Sequence, residues 1–404
     1  MRLLYTVQRY GEDIVGGSEA ACRSFAEHLA ARGHHVEVVT SCAHSYVDWA
    51  DEYPPGTTLV NDVVVHRLPV SSIRTDREFG PLNAWTIEGP RPIPLFEQER
   101  WMSQMGPQMR GYRRWLLTNI ERFDAVIHMT YMYTTTTAGL TVTTGRVPTI
   151  LQPTAHDEPA LWVRRYDTIF RLADSFMFFT PEERQIVANR FDFEPDGAVI
   201  GMGMDIHPRA DPTDFRQEYR LSTDPYLLYV GRIDTAKGAM EAFRFFDAYK
   251  QRNPGPLKFV LAGAAMFQLP DHPDVVQVGF LDEETKRAAL AGSLALLQPS
   301  YFESFSIVLC EAWLQGRPAL VQGRSEVLAG QAARAGGAIP YRGFAEFEAA
   351  VGLLLDDPEL ADRMGESGRR YVEQTYTWNT VIDQVEHAVE LATANHERNR
   401  VTPR

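Results

Sequence analysis

A chain of 404 residues is long for one hydrophobic core, and two domains are the natural expectation. Its 44% hydrophobic and 23% charged residues fit a globular protein, and a formal net charge of −13 argues against nucleic acid as a partner, because phosphate backbones call for a basic surface. A small phosphorylated ligand needs only a local cluster of cations and stays open. The three cysteines, Cys22, Cys42 and Cys310, give neither a disulfide framework nor a metal-ligand spacing, so a reduced, cytoplasmic setting without a metal site is expected. Met1-Arg2 leads straight into a short strand-like run with no signal-peptide cleavage region. No stretch reaches the roughly 18 apolar residues of a membrane span.

Residues 3–7 (LLYTV) read as a buried strand. Gly16-Gly17-Ser18 follows, then a helix over 18–31 with Ala21, Cys22, Phe25 and Leu29 on one face, and a strand over 36–40. Strand, glycine turn, helix, strand is a βαβ unit. Gly16 and Gly17 let a backbone approach a ligand closely, and Ser18 is a candidate helix cap. The full G-x-G-x-x-G pattern is missing, so a dinucleotide site is poorly supported, and a plain tight turn explains the pair as well. A strand is expected at 63–68, and the proline-rich stretch 71–94 reads as a long loop, either a cover for an acceptor pocket or a surface insertion. Residues 97–122 read as one helix. Its Arg100, Arg110, Arg113 and Arg114 with Trp101 and Trp115 fit a core helix with a solvated basic face, or weak peripheral membrane contact through the N-terminal domain.

Strands are expected at 124–130 and 149–153, the second followed by His156. A histidine just past a strand end lies where α/β sheets bind ligands, although a loop histidine without a role fits too. A strand–helix unit over 175–190 and a connection over 199–205 close this half. A second β/α half opens with a strand at 226–230, then Gly231-Arg232 and Lys237-Gly238, a helix at 239–251, and a strand at 257–262 that ends at Gly263. Further elements are expected at 275–278, 283–291, 294–298, 319–321 and 344–355, and a last helix follows Trp378. The stretch 301–318 (YFESFSIVLCEAWLQGRP) places Glu303 in the loop after a strand and Glu311 about two turns into a helix. Amides of Phe305, Ser306 and Ile307 then sit at a helix start, which suits a diphosphate. Arg232 and Lys237 follow another strand end of the same sheet, and Arg forks onto phosphate oxygens while Lys adds a point charge. The fold class is therefore α/β, two Rossmann-like doubly wound domains with a cleft between them.

Taken together, Gly16-Gly17, His156, V-G-R-x4-K-G at 230–238, P-S-x2-E-x-F at 299–305, Glu303-x7-Glu311 and Gly316-x-Pro318 resemble glycosyltransferase family 4, the retaining enzymes of the GT-B fold. The resemblance spans nearly the whole chain. It implies that residues 196–375 bind a nucleoside diphosphate sugar, and that residues 1–195 bind the acceptor, with 376–404 crossing back onto them. It implies diphosphate binding by Arg232 and Lys237, sugar contacts from Glu303 and His156, a ribose contact from Glu311, and donor contacts from Gly16, Gly17, Gly263, Phe305, Ser306 and Ile307. Ser304 and Ser306 depart from the family pattern, where glycine is frequent. The expected activity is transfer of a hexosyl unit from a UDP- or GDP-sugar to an acceptor hydroxyl, without cofactor or metal. Another GT-B activity, such as an epimerase or hydrolase, and a non-catalytic nucleotide-sugar-binding protein are the alternatives. The donor base, the acceptor and the oligomeric state are not legible.

Overall fold

The architecture is that of a computed structural model, in which residues 1–14, 16–89 and 92–401 are described. The chain divides into two compact units, Met1–Gly201 with Val381–Arg404, and Met202–Thr380.

The first unit is built on an eight-stranded sheet. Its strands are β1 (Arg2–Thr6), β2 (His35–Ser41), β3 (Gly56–Val60), β4 (Val63–Leu68), β5 (Ala125–Met129), β6 (Thr149–Gln152), β7 (Ser175–Phe178) and β8 (Gly197–Val199). They lie in the order β3-β4-β2-β1-β5-β6-β7-β8, and only the β3–β4 pair is antiparallel. Successive strand residues point to opposite faces, and Leu3, Leu4, Tyr5 and Thr6 are all fully buried, so both faces of this sheet are covered. That is why the inner strands read as continuous apolar runs. The helices are α1 (Gly17–Ala31), α2 (Asp76–Glu88), α3 (Leu95–Met105), α4 (Tyr112–Asn119), α5 (Thr134–Thr143), α6 (Tyr166–Ile169) and α7 (Pro181–Phe191).

Three features of this unit differ from the sequence reading. Ser18 does not cap α1: the cap position is Gly16, and Ser18 lies in the first turn, where its hydroxyl donates to Glu19 Oε2 at 2.9 Å. The stretch 71–94 is not a loop throughout, since α2 forms across Pro81. Its buried residues are Leu82 and Thr86, one turn apart, with Phe79 packed on the same core. The helix expected over 97–122 is two helices, α3 and α4. Gly106 takes a φ of +67°, Pro107 has no N–H to continue the ladder, and the Met105 carbonyl instead accepts from Trp49 Nε1 at 2.9 Å. Trp101 is 1% exposed and packs edge-on against Tyr166, so it is part of the core rather than of a membrane-facing surface.

The second unit carries β9 (Tyr226–Val230), β10 (Lys258–Ala262), β11 (Val275–Gly279), β12 (Ala295–Gln298), β13 (Ala319–Gln322) and β14 (Ala338–Tyr341). These are all parallel, in the order β11-β10-β9-β12-β13-β14. Its helices are α8 (Thr213–Glu218), α9 (Ala239–Arg252), α10 (Glu283–Gly292), α11 (Ile307–Leu314), α12 (Glu326–Ala335), α13 (Phe344–Asp356) and α14 (Pro358–Thr375). Helix α9 buries Ala239, Ala242, Phe243, Phe246 and Tyr249, a helical stripe that meets Phe259, Leu261, Leu297 and Phe347 in one core.

Helix α15 (Trp378–Val401) buries Val381, Ile382, Val385, Ala388, Val389 and Ala392 along one face. From Val381 onward it belongs to the first unit. His396 Nδ1 lies 2.9 Å from Asp174 Oδ2, Asn395 donates to the Asp174 carbonyl at 3.0 Å, and His34 meets Glu386 at 2.7 Å. Among the described residues no helix is long and apolar enough to cross a membrane.

Candidate active site

In the second unit the chain runs from β9 outward in both directions, so the β9/β12 boundary is a topological switch point. Ligands of open α/β sheets bind beyond the carboxyl ends of the strands at such a point. The loop after β9 carries Arg232 and Lys237, and the loop after β12 carries Glu303. Lys237 Nζ lies 2.8 Å from Glu303 Oε1; the lysine side chain is 40% exposed and the glutamate 12%. Arg232 is paired through Nε to Asp234, whose other oxygen accepts the Lys237 amide at 2.7 Å. One aspartate therefore orders the loop that carries both cations. Gly238 brings this loop against the next one, since a Cβ there would sit 2.4 Å from the Pro299 carbonyl oxygen. Gly263 has a related role. A Cβ there would meet the Gly231 carbonyl oxygen at 1.9 Å, so it lets the ends of β9 and β10 touch backbone to backbone.

Helix α11 starts beside Glu303. Ser306 takes a φ of +74°, and its hydroxyl accepts from Gln298 Nε2 at 2.9 Å. Phe305 is 3% exposed and packs edge-on against Tyr376, which anchors the loop. The Leu309 amide bonds to the Ser306 carbonyl at 3.2 Å, and the amides of Ser306 and Ile307 precede it at the positive end of the helix. Glu311 stands further along α11, and its Oε1 accepts from Lys286 Nζ of α10 at 2.8 Å. Burial raises the Glu311 pKa and Lys286 pulls it back. Burial works against the charge of Lys286, but Glu311 and Glu283 outweigh it and hold that pKa above its ordinary value.

In the first unit the order reverses between β1 and β5. Gly16 and Gly17 follow β1 at the start of α1. A Cβ on Gly16 would lie 2.4 Å from Glu19 Oε2 and 3.1 Å from Arg9 Nη2, whereas one on Gly17 would meet nothing within 4 Å. Gly16 thus makes room for the buried Arg9–Glu19 pair, in which Arg9 Nε donates to Glu19 Oε1 at 2.9 Å. Gly17 faces open space. His156 follows β6, with Nδ1 3.1 Å from Glu158 Oε1, which also accepts from Tyr131 Oη at 2.9 Å.

Residues 16–203 match the family model described as a glycosyl transferase 4-like domain, and residues 211–371 match the one described as glycosyl transferases group 1. The chain belongs to the family 4-like glycosyltransferases. This glycosyltransferase is 24% identical over 401 residues to alpha-D-kanosaminyltransferase of Streptomyces kanamyceticus, covering 90% of this chain and 96% of that one. Its fold is GT-B. Sucrose-phosphate synthase from Thermosynechococcus elongatus superposes with a TM-score of 0.71 at 18% identity, over 98% of this chain and 100% of the other. Anabaena HepE, solved in complex with UDP and glucose, superposes with a TM-score of 0.67 at 15% identity, over 96% and 99%.

Several residues around these candidate positions escaped the sequence reading. Lys286 and Asp234 are two of them. Glu183 is a third: it is fully buried, and its carboxylate accepts the Ala155 amide at 2.7 Å and the Phe179 amide at 2.7 Å. It therefore ties the loop that carries His156 to the end of β7. Burial pushes its pKa up to about 8, against the pull of those amides. The sequence signal was the Thr180-x-x-Glu183 spacing of a capping box; Thr180 does accept the Glu183 amide at 3.1 Å. One carboxylate oxygen stays at its own helix start, on the Phe179 amide just before the cap, and the other reaches the neighbouring loop at Ala155. Thr130 and Thr154 lie just beyond the ends of β5 and β6 with φ of +66° and +51°, a strained conformation for β-branched residues.

Proposed function

We propose that this glycosyltransferase is a retaining hexosyltransferase that moves a hexosyl unit from a UDP- or GDP-sugar to an acceptor hydroxyl without a metal ion. The observation that carries the reading is the Lys237–Glu303 pair at the switch point of the second sheet, with Arg232 in the same loop and the N-terminus of α11 beside it. A leaving diphosphate gains negative charge as the glycosidic bond breaks. Fixed cations and a helix N-terminus are suited to that charge, and they take the place of a divalent ion. Glu303 accepts from hydroxyls of the donor sugar, and Glu311 from the ribose. The first unit is assigned to the acceptor, with His156 directed at the sugar. The UDP and glucose bound by HepE, a protein of the same fold, support the nucleotide-sugar part of the reading.

In the reaction the bond from the anomeric carbon to the phosphate oxygen breaks, and its electron pair stays on the diphosphate. The acceptor oxygen bonds to the same face of that carbon, and its proton passes to a phosphate oxygen. No residue changes its covalent state. The test is a panel of UDP-, GDP-, ADP- and dTDP-hexoses incubated with chelator and a mixture of sugar and polyol acceptors, with release of nucleoside diphosphate and the glycosylated product measured for the wild type, Glu303→Ala and Lys237→Ala. Release from one donor, lost in both variants, with an α-configured product from an α-configured donor, supports the reading. Loss of activity on chelation overturns the metal-free part. Diphosphate release that leaves only free sugar points to a hydrolase. Absence of any donor binding by calorimetry overturns the assignment of the second unit.

A further inference from the structure

Helix α10 turns one cation inward. Lys286 is 15% exposed, and its Nζ lies 2.8 Å from Glu311 Oε1 and 2.9 Å from the carboxylate of Glu283. The Glu283 side chain is 75% exposed and that of Glu311 18%, so the bond to Glu311 is the sheltered one. An ammonium has three N–H donors, and two are used here. A carboxylate has two oxygens, and among the described residues only Oε1 of Glu311 is hydrogen-bonded. An unused donor and an unused acceptor thus stand side by side, on a carboxylate that cannot rotate without breaking its sheltered bond. That pairing fits a hydroxyl that donates to Oε2 and accepts from Nζ.

We propose that Lys286 is a positioning residue for the donor nucleotide: it fixes the Glu311 carboxylate so that the site distinguishes a ribonucleotide from a 2′-deoxyribonucleotide. The inference rests on the nucleotide-sugar reading above and deepens it. It has a chemical reason. A site built to hydrogen-bond a hydroxyl rejects the analogue that lacks it, because its own buried polar groups are then left unpaired. With Lys286 in place, a deoxyribose leaves both Oε2 and one ammonium N–H unmatched. Without Lys286, Glu311 turns to water and loses its grip on the ribose hydroxyl, a contact that a deoxyribose never made. The proposal therefore selects UDP or GDP over a thymidine diphosphate donor.

The experiment is calorimetric titration of the full chain with UDP, 2′-deoxy-UDP, GDP and 2′-deoxy-GDP. The proteins are the wild type, Lys286→Met, Lys286→Arg and, as a control on the exposed partner, Glu283→Gln. The wild type is expected to bind one ribonucleotide about tenfold or more tighter than its deoxy form. In Lys286→Met that preference falls to about twofold or less, through loss of ribonucleotide affinity alone. Lys286→Arg restores most of it, and Glu283→Gln keeps it. A structural role without readout of the sugar would instead lower the melting temperature and weaken both forms equally. An unchanged ribo-to-deoxy ratio in a folded Lys286→Met protein overturns the role of Lys286 and leaves the nucleotide-sugar reading standing. A wild type that binds none of the four diphosphates overturns both.

Discussion

Ser306 holds a backbone conformation that its side chain disfavours. A φ of +74° brings Cβ close to the following carbonyl, which costs an L-residue roughly 1–2 kcal/mol. Its hydroxyl offsets part of this by accepting from Gln298, which is 6% exposed and has a polar group to satisfy. The two contributions separate by substitution. Ser306→Ala keeps the strain and removes the acceptor; Ser306→Gly removes the acceptor and relieves the strain. The glycine variant should therefore be more stable than the alanine variant by about 1 kcal/mol in urea denaturation. An alanine variant as stable as the glycine one would mean that the loop relaxes out of the left-handed region. The sequence flagged this position because serine stood where glycine is frequent, but it held no sign of what offsets the strain. Residue-level partnerships were in general the least legible part. Lys286 and Glu311 lie 25 positions apart, and Ala155 and Glu183 lie 28 apart. Only the packing of separate elements brings them together, and no local periodicity encodes it.

Among the elements, the start of α1 offers the cleanest separation of structure from function. Gly16 and Gly17 look alike in sequence, and both were assigned to the donor. Their surroundings differ. Alanine at Gly16 would press on the buried Arg9–Glu19 pair, and breaking such a pair costs about 3–5 kcal/mol when one charge is left uncompensated. Alanine at Gly17, within the helix and with open space before it, should leave the melting temperature unchanged or raise it slightly. If the open space receives substrate, Gly17→Ala will lower kcat/KM by at least tenfold without loss of stability, while Gly16→Ala will lose both. A fully active Gly17→Ala protein would remove Gly17 from the substrate site. The elements themselves were largely legible where strands are buried on both faces, because nothing but an apolar run satisfies that environment. The 71–94 stretch was not legible as a helix. Its prolines read as breakers, whereas burial of Leu82 and Thr86 and packing of Phe79 hold α2 together across Pro81. The single helix over 97–122 failed for the converse reason: helical spacing continues through a left-handed Gly106 that sets α3 apart from α4.

At the scale of the whole molecule, two buried groups of the first unit shape the dependence of stability on pH from opposite sides. His128 bridges Thr6 at 2.8 Å and Thr143 at 2.9 Å, and burial lowers its pKa from 6.5 to about 3. Between those values the unfolded chain binds a proton that the native one does not, so stability falls as pH drops from 6.5 toward 3. Glu183 behaves in the opposite sense. Burial raises its pKa from 4.5 to about 8, so between those values the native chain binds the extra proton and stability falls as pH rises. The two windows overlap from 4.5 to 6.5, where the slopes oppose each other and their sum is flat. Of these two groups, only the histidine acts below 4.5, where the lowered pKa values of Glu37, Asp13 and Asp274 add to the same acid limb, and only the glutamate acts from 6.5 to 8. Melting temperatures measured from pH 3.5 to 8.5 should therefore show a plateau with a limb on each side. Glu183→Gln should make the alkaline limb shallower and His128→Gln the acid one, each leaving the other limb unchanged. Glu183→Gln is also expected to cost about 1–3 kcal/mol at pH 5, because its amide nitrogen faces one of the two backbone amides that the carboxylate accepts. An alkaline limb of unchanged slope in Glu183→Gln would mean that Glu183 is ionised throughout, held by the Ala155 and Phe179 amides. The tie between the His156 loop and the end of β7 would then be a charged one at every pH at which the enzyme works.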